Sequence, residues 1–418
     1  MRVFKFGGAS VKDAQSIINL ASIEKNITEP LVIVISAMGK TTNAMERLVD
    51  AYFNKTVDLF SIFEEIKKYH LDISNELFKK SKEKPEEFLA VIDSLEEKIK
   101  QEPSLDFNFE YDQVVSYGEL LSTTLISAYL NNCGIYNKWV DIRKGLRTDN
   151  HFCEAKVDFE LSSIHIPNLF DFTTERIFIT QGFIGSTSKN LTTTLGREGS
   201  DYTAALLAYF LNAQSVTVWK DVPGILNADP KWFDDTVRIN QLNYTDAIEL
   251  AFYGASVIHP KTIQPLQTKG IPLYVRSFKN PGEQGTTIGN VIYDSLIPSF
   301  IFKVDQVLLE ICPNNLSFIT EENLQYIFAI LFKYELKVNL MQNTAVNFKI
   351  CVDNHSDKIA YVLKELDSKY HIDKTEQLEL ITIRYYNQET IDRVLINKEV
   401  IVEHRSKRTI QMVVTSLN

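Results

Sequence analysis

Cysteine is scarce in this sequence, and its few copies are not arranged to pair. Cys133, Cys153, Cys312 and Cys351 are the only four in 418 residues and show no CxxC spacing. That pattern excludes a structural zinc knuckle and a disulfide framework, and it fits a reducing compartment. No stretch of 18 uninterrupted apolar residues occurs, so no membrane-spanning helix is expected. The N-terminus enters a strand pattern at once, without the apolar h-region of a signal peptide. Lys/Arg blocks are missing as well, and the net charge is −10; a nucleic-acid surface would need the opposite sign. The glycine-lysine signature of a P-loop, GxxxxGK[ST], is absent. A cytoplasmic protein with neither nucleic acid nor membrane as partner is expected.

What is present describes a globular protein of more than one domain: 418 residues, 44% hydrophobic and 23% charged, too long for one ordinary core. The opening MRVFKFGGASVKD sets the first problem. VFKF reads as a short buried strand, yet Lys5 is costly to bury without a partner. The amphipathic VKDAQSIINLASIEKN and the all-apolar PLVIVISAMG follow, the second reading as a strand buried on both faces of a parallel sheet. From about Asn43 to Tyr111 glycine disappears, and LFSIFEEIKKYH and PEEFLAVIDSLEEKIKQ have helical spacing; this is a helical excursion whose charges form solvated faces. Strand and helix patterns resume through YNKWVD, RIFITQGFIG, DYTAALLAYFLN, SVTVWKD, PLYVRSF and GTTIG.

After Pro298 the texture changes. FKVDQVLLEIC reads as a strand, TEENLQYIFAILFKYEL as a helix, KVNLMQNTAVNFKICVD as a hairpin and SDKIAYVLKELDSKY as a second helix. The strand QLELITIRYY and the hairpin EVIVEHRSKRTIQMVVT complete the chain. Such β-α-β-β-α-β order is ferredoxin-like, and the length fits one full unit plus an abbreviated second. The expected division is a first domain over 1–295, with the helical excursion at about 43–111, and a second region over 296–418.

Three clusters carry the chemistry. Gly7 and Gly8 stand where the first strand turns toward a helix, so backbone N–H groups can approach an anion. In TTTLGREGSDYTAALLAYF, Arg197 lies between Gly196 and Gly199 at a helix mouth, shaped to grip a carboxylate or phosphate; Ser200 or Asp201 as an ordinary N-cap is the plainer reading of those two positions. VWKDVPGILNADPKW forms a loop at the carboxyl end of a buried strand, the edge where open α/β sheets bind ligands. His259, before a proline, reads as a packed, hydrogen-bonded histidine.

KFGGAS, SYGELLST at Ser116 to Thr123, LGREGSDYTAALLA, KDVPGILNADP, FYGASVIHP and SFKNPGEQGTTIG together resemble aspartate kinase (aspartokinase), in that family's order and spacing over the first 290 residues or so. The tail resembles the family's paired ACT regulatory domains, with a shorter final part. The resemblance implies an α/β amino-acid-kinase sheet sandwiched by helices, followed by ferredoxin-like (ACT) units. It also implies transfer of the γ-phosphoryl of ATP, bound with Mg2+, to the side-chain carboxylate of L-aspartate. This is the first step toward lysine, threonine and methionine. By the same resemblance Lys5 and Asp201 are catalytic; Ser36, Thr42, Glu119, Arg197, Gly199 and Ser200 bind aspartate, with Glu119 receiving its ammonium and Arg197 its α-carboxylate; and Lys5, Phe6, Gly7, Gly8, Lys220, Asp221, Leu226, Lys231, Ser256 and Val257 bind the nucleotide. No metal site of the protein's own is implied. Lysine or threonine as effector and a homodimer or higher homo-oligomer are expected. The chain departs from the family at Ala9 (commonly Thr), Glu198 (commonly Gly), Leu226 (often aromatic), Lys231 (often Arg) and Ser256 (Lys in some). A glutamate or N-acetylglutamate kinase, or a non-catalytic amino-acid sensor, are the alternatives.

Overall fold

The computed structural model describes residues 1–24, 27–81, 85–255, 258–293, 297–315 and 317–417. They divide into two compact units. The first comprises Met1–Ile225, Arg238–Ile248 and Val257–Tyr293; the second joins Leu226–Val237 and Glu249–Ser256 to Asp294–Asn418. The division is therefore not a single cut in the sequence, since two segments from within the first 295 residues fold with the tail.

In chain order, β1 (Arg2–Phe6), α1 (Ala14–Glu24) and β2 (Leu31–Ile35) open the first unit. The glycine-free stretch supplies α2 (Thr41–Phe53), α3 (Leu59–Leu77), α4 (Glu86–Lys100) and α5 (Phe107–Val115). There follow α6 (Tyr117–Asn132), β3 (Lys138–Val140), α7 (Phe159–Leu169), β4 (Ile177–Gln181), a hairpin of β5 (Ile184–Ser186) and β6 (Thr192–Thr194), α8 (Gly199–Phe210) and β7 (Ser215–Lys220). The last elements are β8 (Gln241–Asn243), α9 (Tyr244–Tyr253), α10 (Pro260–Lys269), β9 (Leu273–Ser277) and β10 (Thr286–Gly289). The main sheet runs β3-β4-β2-β1-β7-β9-β10-β8, parallel except where β10 meets β9. All five residues of β2, LVIVI, are buried, as expected of a strand covered on both faces. Side chains alternate across a strand, and the pairing of Lys5 with Val218 and of Phe6 with Trp219 sets which groups share a face. Lys5 and Lys220 look to one side. Arg2, Phe4, Phe6 and Trp219 look to the other, where Phe4, Phe6 and Trp219 join Ile17 and Leu20 of α1 and Phe63, Phe88 and Leu95 of the helical excursion in one apolar core.

The second unit is a six-stranded sheet of order β12-β13-β11-β14-β16-β15. Its elements are β11 (Ser299–Pro313), α11 (Glu321–Lys333), β12 (Val338–Asn343), β13 (Phe348–Asp353), α12 (Ser356–Leu366), β14 (Tyr370–Arg384), α13 (Gln388–Val394), β15 (Lys398–Arg405) and β16 (Thr409–Ser416). β11 and β14 are each 15 residues long and run through both halves. Their pairing shifts register between Lys303 and Leu308, where Asp305 (φ 55°) and Gln377 (φ 58°) are left-handed; such irregularities bend strands. On one half α11 and α12 cover Val307, Leu309 and Ile311, which is the complete β-α-β-β-α-β order. The other half has only the short α13, a helix the sequence pattern did not reveal. Its core of Phe300, Ile381, Ile383, Ile410 and Met412 is completed by Ala228 and Phe233, with Trp232 stacked on Phe302 at 5.4 Å between ring centroids. The loop segment 226–237 thus supplies the apolar cover that a second long helix would have given.

Candidate active site

Lys5 answers the question its burial raised. Its ammonium lies 2.6 Å from Asp201 Oδ1, and Lys220 Nζ lies 3.2 Å from Oδ2 of the same carboxylate. Asp201 is fully buried. Burial alone would raise its pKa, but Lys5 and Lys220 outweigh that cost and bring it down to about 2. The acid comes from the first turn of α8 and the two lysines from the same face of adjacent strands β1 and β7, so the fold brings together groups distant in sequence. Lys220 is placed here with Lys5 rather than standing only as a strand-end residue, and Asp221 beside it is exposed.

The glycines after β1 make the room. A Cβ on Gly7 would stand 3.3 Å from Lys5 Nζ, and one on Gly8 would strike the main-chain oxygens of Ala37 and Gly39 at 2.8 Å. Only glycine permits that approach. It docks the first turn against the loop after β2, where Gly39 N–H donates to the Gly8 carbonyl at 3.0 Å and Ser36 N–H to the Phe6 carbonyl at 3.1 Å. Phe6 therefore offers this site only its backbone; its ring stacks on Trp219 on the opposite face of the sheet. Ser36 is half-buried, and Thr42 lies half-buried in the first turn of α2.

Glu119, in the first turn of α6, is buried to 3% exposure. Its Oε1 accepts from Ala37 N–H at 3.1 Å, whereas Oε2 is buried without a partner among the described residues. Burial raises its pKa to about 8, against the pull of the Ala37 N–H and of Lys5. A carboxylate in this state is suited to receive a cation. Arg197 is its counterpart in sign: exposed, with no carboxylate of the described residues recorded against it, on a turn between Gly196 (φ 73°) and Glu198 (φ 57°). Gly199 and Ser200 are buried at the start of α8. Neither Ser200 nor Asp201 is the N-cap; Glu198 occupies that position and makes no side-chain cap, so the first turn keeps N–H groups for an anion.

Glu198 is the departure with a visible consequence. Its Oε2 lies 3.8 Å from Lys220 Nζ. Burial and then the Asp201 charge raise its pKa against the attraction of Lys220. Leu226 and Lys231 fall in the second unit, Leu226 half-buried and Lys231 exposed; Ser256 and Val257 lie outside the described residues. His259 caps α10, its Nδ1 accepting from Lys261 N–H at 3.2 Å.

One supporting residue escaped sequence reasoning. Asp112 of α5 is fully buried, and its carboxylate accepts from Thr194 N–H (2.9 Å), Thr194 Oγ1 (2.7 Å) and Cys153 N–H (3.1 Å). It thereby anchors β6 just before the Arg197 turn. A charge inside the apolar pattern EYDQVV was its only signal.

Residues 1–277 match the model of the amino acid kinase family. Lysine-sensitive aspartokinase 3 of Escherichia coli is 32% identical over 398 residues, covering 91% of this chain and 86% of that protein. The chain belongs to the aspartokinases. A crystal structure of E. coli aspartokinase III with aspartate and ADP (R-state) superposes with a TM-score of 0.82 at 28% identity, covering 99% of this chain and 96% of that one. The same enzyme with lysine and aspartate (T-state) gives 0.81 at 28% identity, covering 100% and 96%. The chain spans 32% of the length of a bifunctional aspartokinase/homoserine dehydrogenase of Arabidopsis thaliana, to which it is 32% identical. The fold is accordingly that of an amino-acid-kinase sheet followed by an ACT-type antiparallel region, in an aspartate kinase.

Glu198 gives a prediction specific to this chain. Glycine at a left-handed position relieves steric strain on the order of 1 kcal/mol, and Glu198→Gly also removes the carboxyl beside Lys220. Turnover is expected to be retained or raised and the urea midpoint to move up slightly; a large loss of turnover would show that Glu198 takes part in the reaction.

Proposed function

We propose that Lys5, Lys220 and Asp201 form the phosphoryl-transfer centre of this aspartokinase, with Glu119 and Arg197 as the two ends of its aspartate site. The observation that carries this reading is the buried carboxylate of Asp201 holding two ammonium groups on one face of the sheet. The side-chain carboxylate of aspartate is ionised at neutral pH, so it needs no general base. What the reaction needs is alignment and a place for the negative charge that builds up between acceptor and leaving group. Lys5 and Lys220 provide positive charge, and the Asp201 carboxylate holds both ammonium groups in place. Mg2+ enters with the nucleotide as MgATP and supplies further charge neutralisation on its phosphates. The N–H groups around Gly7 and Gly8 and the open first turn of α8 add uncharged donors. Glu119 takes the substrate ammonium on its unpartnered oxygen, and Arg197 takes the α-carboxylate. Ser36, Thr42, Gly199 and Ser200 line the same turns. Asp221, which follows β7, remains a proposed contact for the rest of the nucleotide.

The product is 4-phospho-L-aspartate, at the head of lysine, threonine and methionine synthesis, in the cytoplasm. The second unit is read as the effector region, with lysine the first candidate because the E. coli relative is named lysine-sensitive. A homodimer formed through that unit is the expected assembly.

A hydroxamate assay for acyl phosphate with aspartate and MgATP tests the activity: product with aspartate, and none with glutamate or N-acetylglutamate, is the expected result. In that assay Lys5→Ala is expected to lower kcat by roughly 10²-fold or more with a far smaller change in the aspartate KM. Unchanged kcat would remove Lys5 from the mechanism.

Aspartate binding carries a pH signature. In the empty site Glu119 holds a proton below about pH 8, and that proton must leave before the carboxylate can pair with the substrate ammonium. Lower pH therefore weakens aspartate binding, by roughly fifty-fold between pH 8 and pH 6, with proton release on binding. Calorimetry in buffers of different ionisation enthalpy measures both effects. A flat profile, or the same profile in Glu119→Gln, would refute the assignment.

A further inference from the structure

On the face of the sheet opposite Lys5 and Lys220, a cavity of about 370 Å³ opens between β1, β7, β9 and α1. Phe4 and Trp219 form its apolar floor, Ile23 of α1 its wall, and Arg2 and Arg276 bring two guanidinium groups to it; none of the lining residues is acidic. The strand register explains this convergence: Phe6, Trp219 and Arg276 are paired neighbours on three adjacent strands, and Arg2 and Phe4 share their face.

The two arginines differ. Arg2 is half-exposed and holds Glu29 at 2.7 Å. Arg276 is half-buried; its guanidinium lies over the ring of Tyr274, 5.3 Å from guanidinium carbon to centroid, and its Nε is buried with no hydrogen-bond partner among the described residues. Trp219 is buried to 3% exposure, and its indole Nε1, a donor only, is likewise buried and unpartnered. A guanidinium Nε–H and an indole N–H left unmatched on paired residues of adjacent strands are costly in a folded protein, and an acceptor of negative charge that reached them would satisfy both. Phe4, Ile23 and Trp219 in the same walls favour an apolar body on that acceptor.

We propose that this cavity is a binding site for a small organic carboxylate with an apolar body, its carboxylate on Arg276 and the Trp219 indole and its body against Phe4 and Ile23. The site is separate from the aspartate site. Because Phe4 and Trp219 are the immediate neighbours of Lys5 and Lys220 along their strands, its occupant lies one strand thickness behind the phosphoryl-transfer lysines.

The chain has three tryptophans, so the indole N–H region of a ¹H–¹⁵N spectrum of the full-length protein reads the site directly, with Trp219→Phe assigning the signal. Benzoate is the probe, titrated to about 50 mM at constant ionic strength. The Trp219 signal is expected to move saturably while those of Trp139 and Trp232 stay in place. Arg276→Met is expected to weaken binding by about tenfold or more, Arg276→Lys by less, and Arg197→Gln not at all. An immobile Trp219 signal, or equal affinity in Arg276→Met, would overturn the proposal. Inorganic phosphate shifting the signal at lower concentration than benzoate would overturn the assignment to an organic carboxylate. If Arg276→Met fails to fold, Arg276→Lys and the wild-type comparison of benzoate with phosphate still decide.

Discussion

The candidate site depends on one electrostatic balance, the carboxylate of Asp201 buried between two ammonium groups. Three charges taken out of water are expensive singly, and they are tolerable together only if each is matched. Removing either sign leaves the other unsatisfied in a low-dielectric interior. That constraint explains why Lys5 occupies a strand of otherwise apolar residues, why Gly7 follows it, and why the acid lies in the first turn of a helix whose remaining length is packed on nearly every side. The net positive charge of the cluster is also what a triphosphate and an acceptor carboxylate require, so the interaction that stabilises the empty site is aligned with the reaction.

The fold acts as a device for convergence. β1 and β7 are neighbours in the sheet although α1 to α8 lie between them in sequence, and that adjacency places Lys5 and Lys220 on one face. The loop after β2 is held by Gly8 from one side and by Glu119 from the other through Ala37 N–H. Asp112 fixes β6 before the Arg197 turn. The ties of Glu119 and Asp112 are made by buried carboxylates, so the scaffold fixes the geometry of these loops.

Much of this was legible from local pattern. The buried strand LVIVI, the glycine-free helices and the strand-to-glycine turn at Lys5 follow from hydrophobic period and glycine chemistry, which act over a few residues. The partners of Lys5 were not legible from that chemistry: nothing in KFGG points to Asp201 or Lys220 without the strand order, and family resemblance supplied only part of it. The segment 226–237 reads as a loop after a strand, yet Phe233 and Trp232 fold against Phe300 and Phe302 of a strand far along the chain. α13, at seven residues, is too short for a periodicity to show. Asp112 and the unmatched Nε of Arg276 owe their character to burial, which local pattern does not fix.

The central claim is that the Asp201 carboxylate, by its charge, holds Lys5 and Lys220 in their catalytic placement. Asp201→Asn keeps the size and removes the charge, and the direct measurement is single-turnover phosphoryl transfer to aspartate by the purified variant, alongside its crystal structure. The account predicts a transfer rate lower by roughly 10²-fold or more, with the α8 turn intact and the two ammonium groups moved apart from the amide. A variant that transfers at the wild-type rate, or that keeps both lysines in place and is slow only through lost aspartate binding, would contradict it.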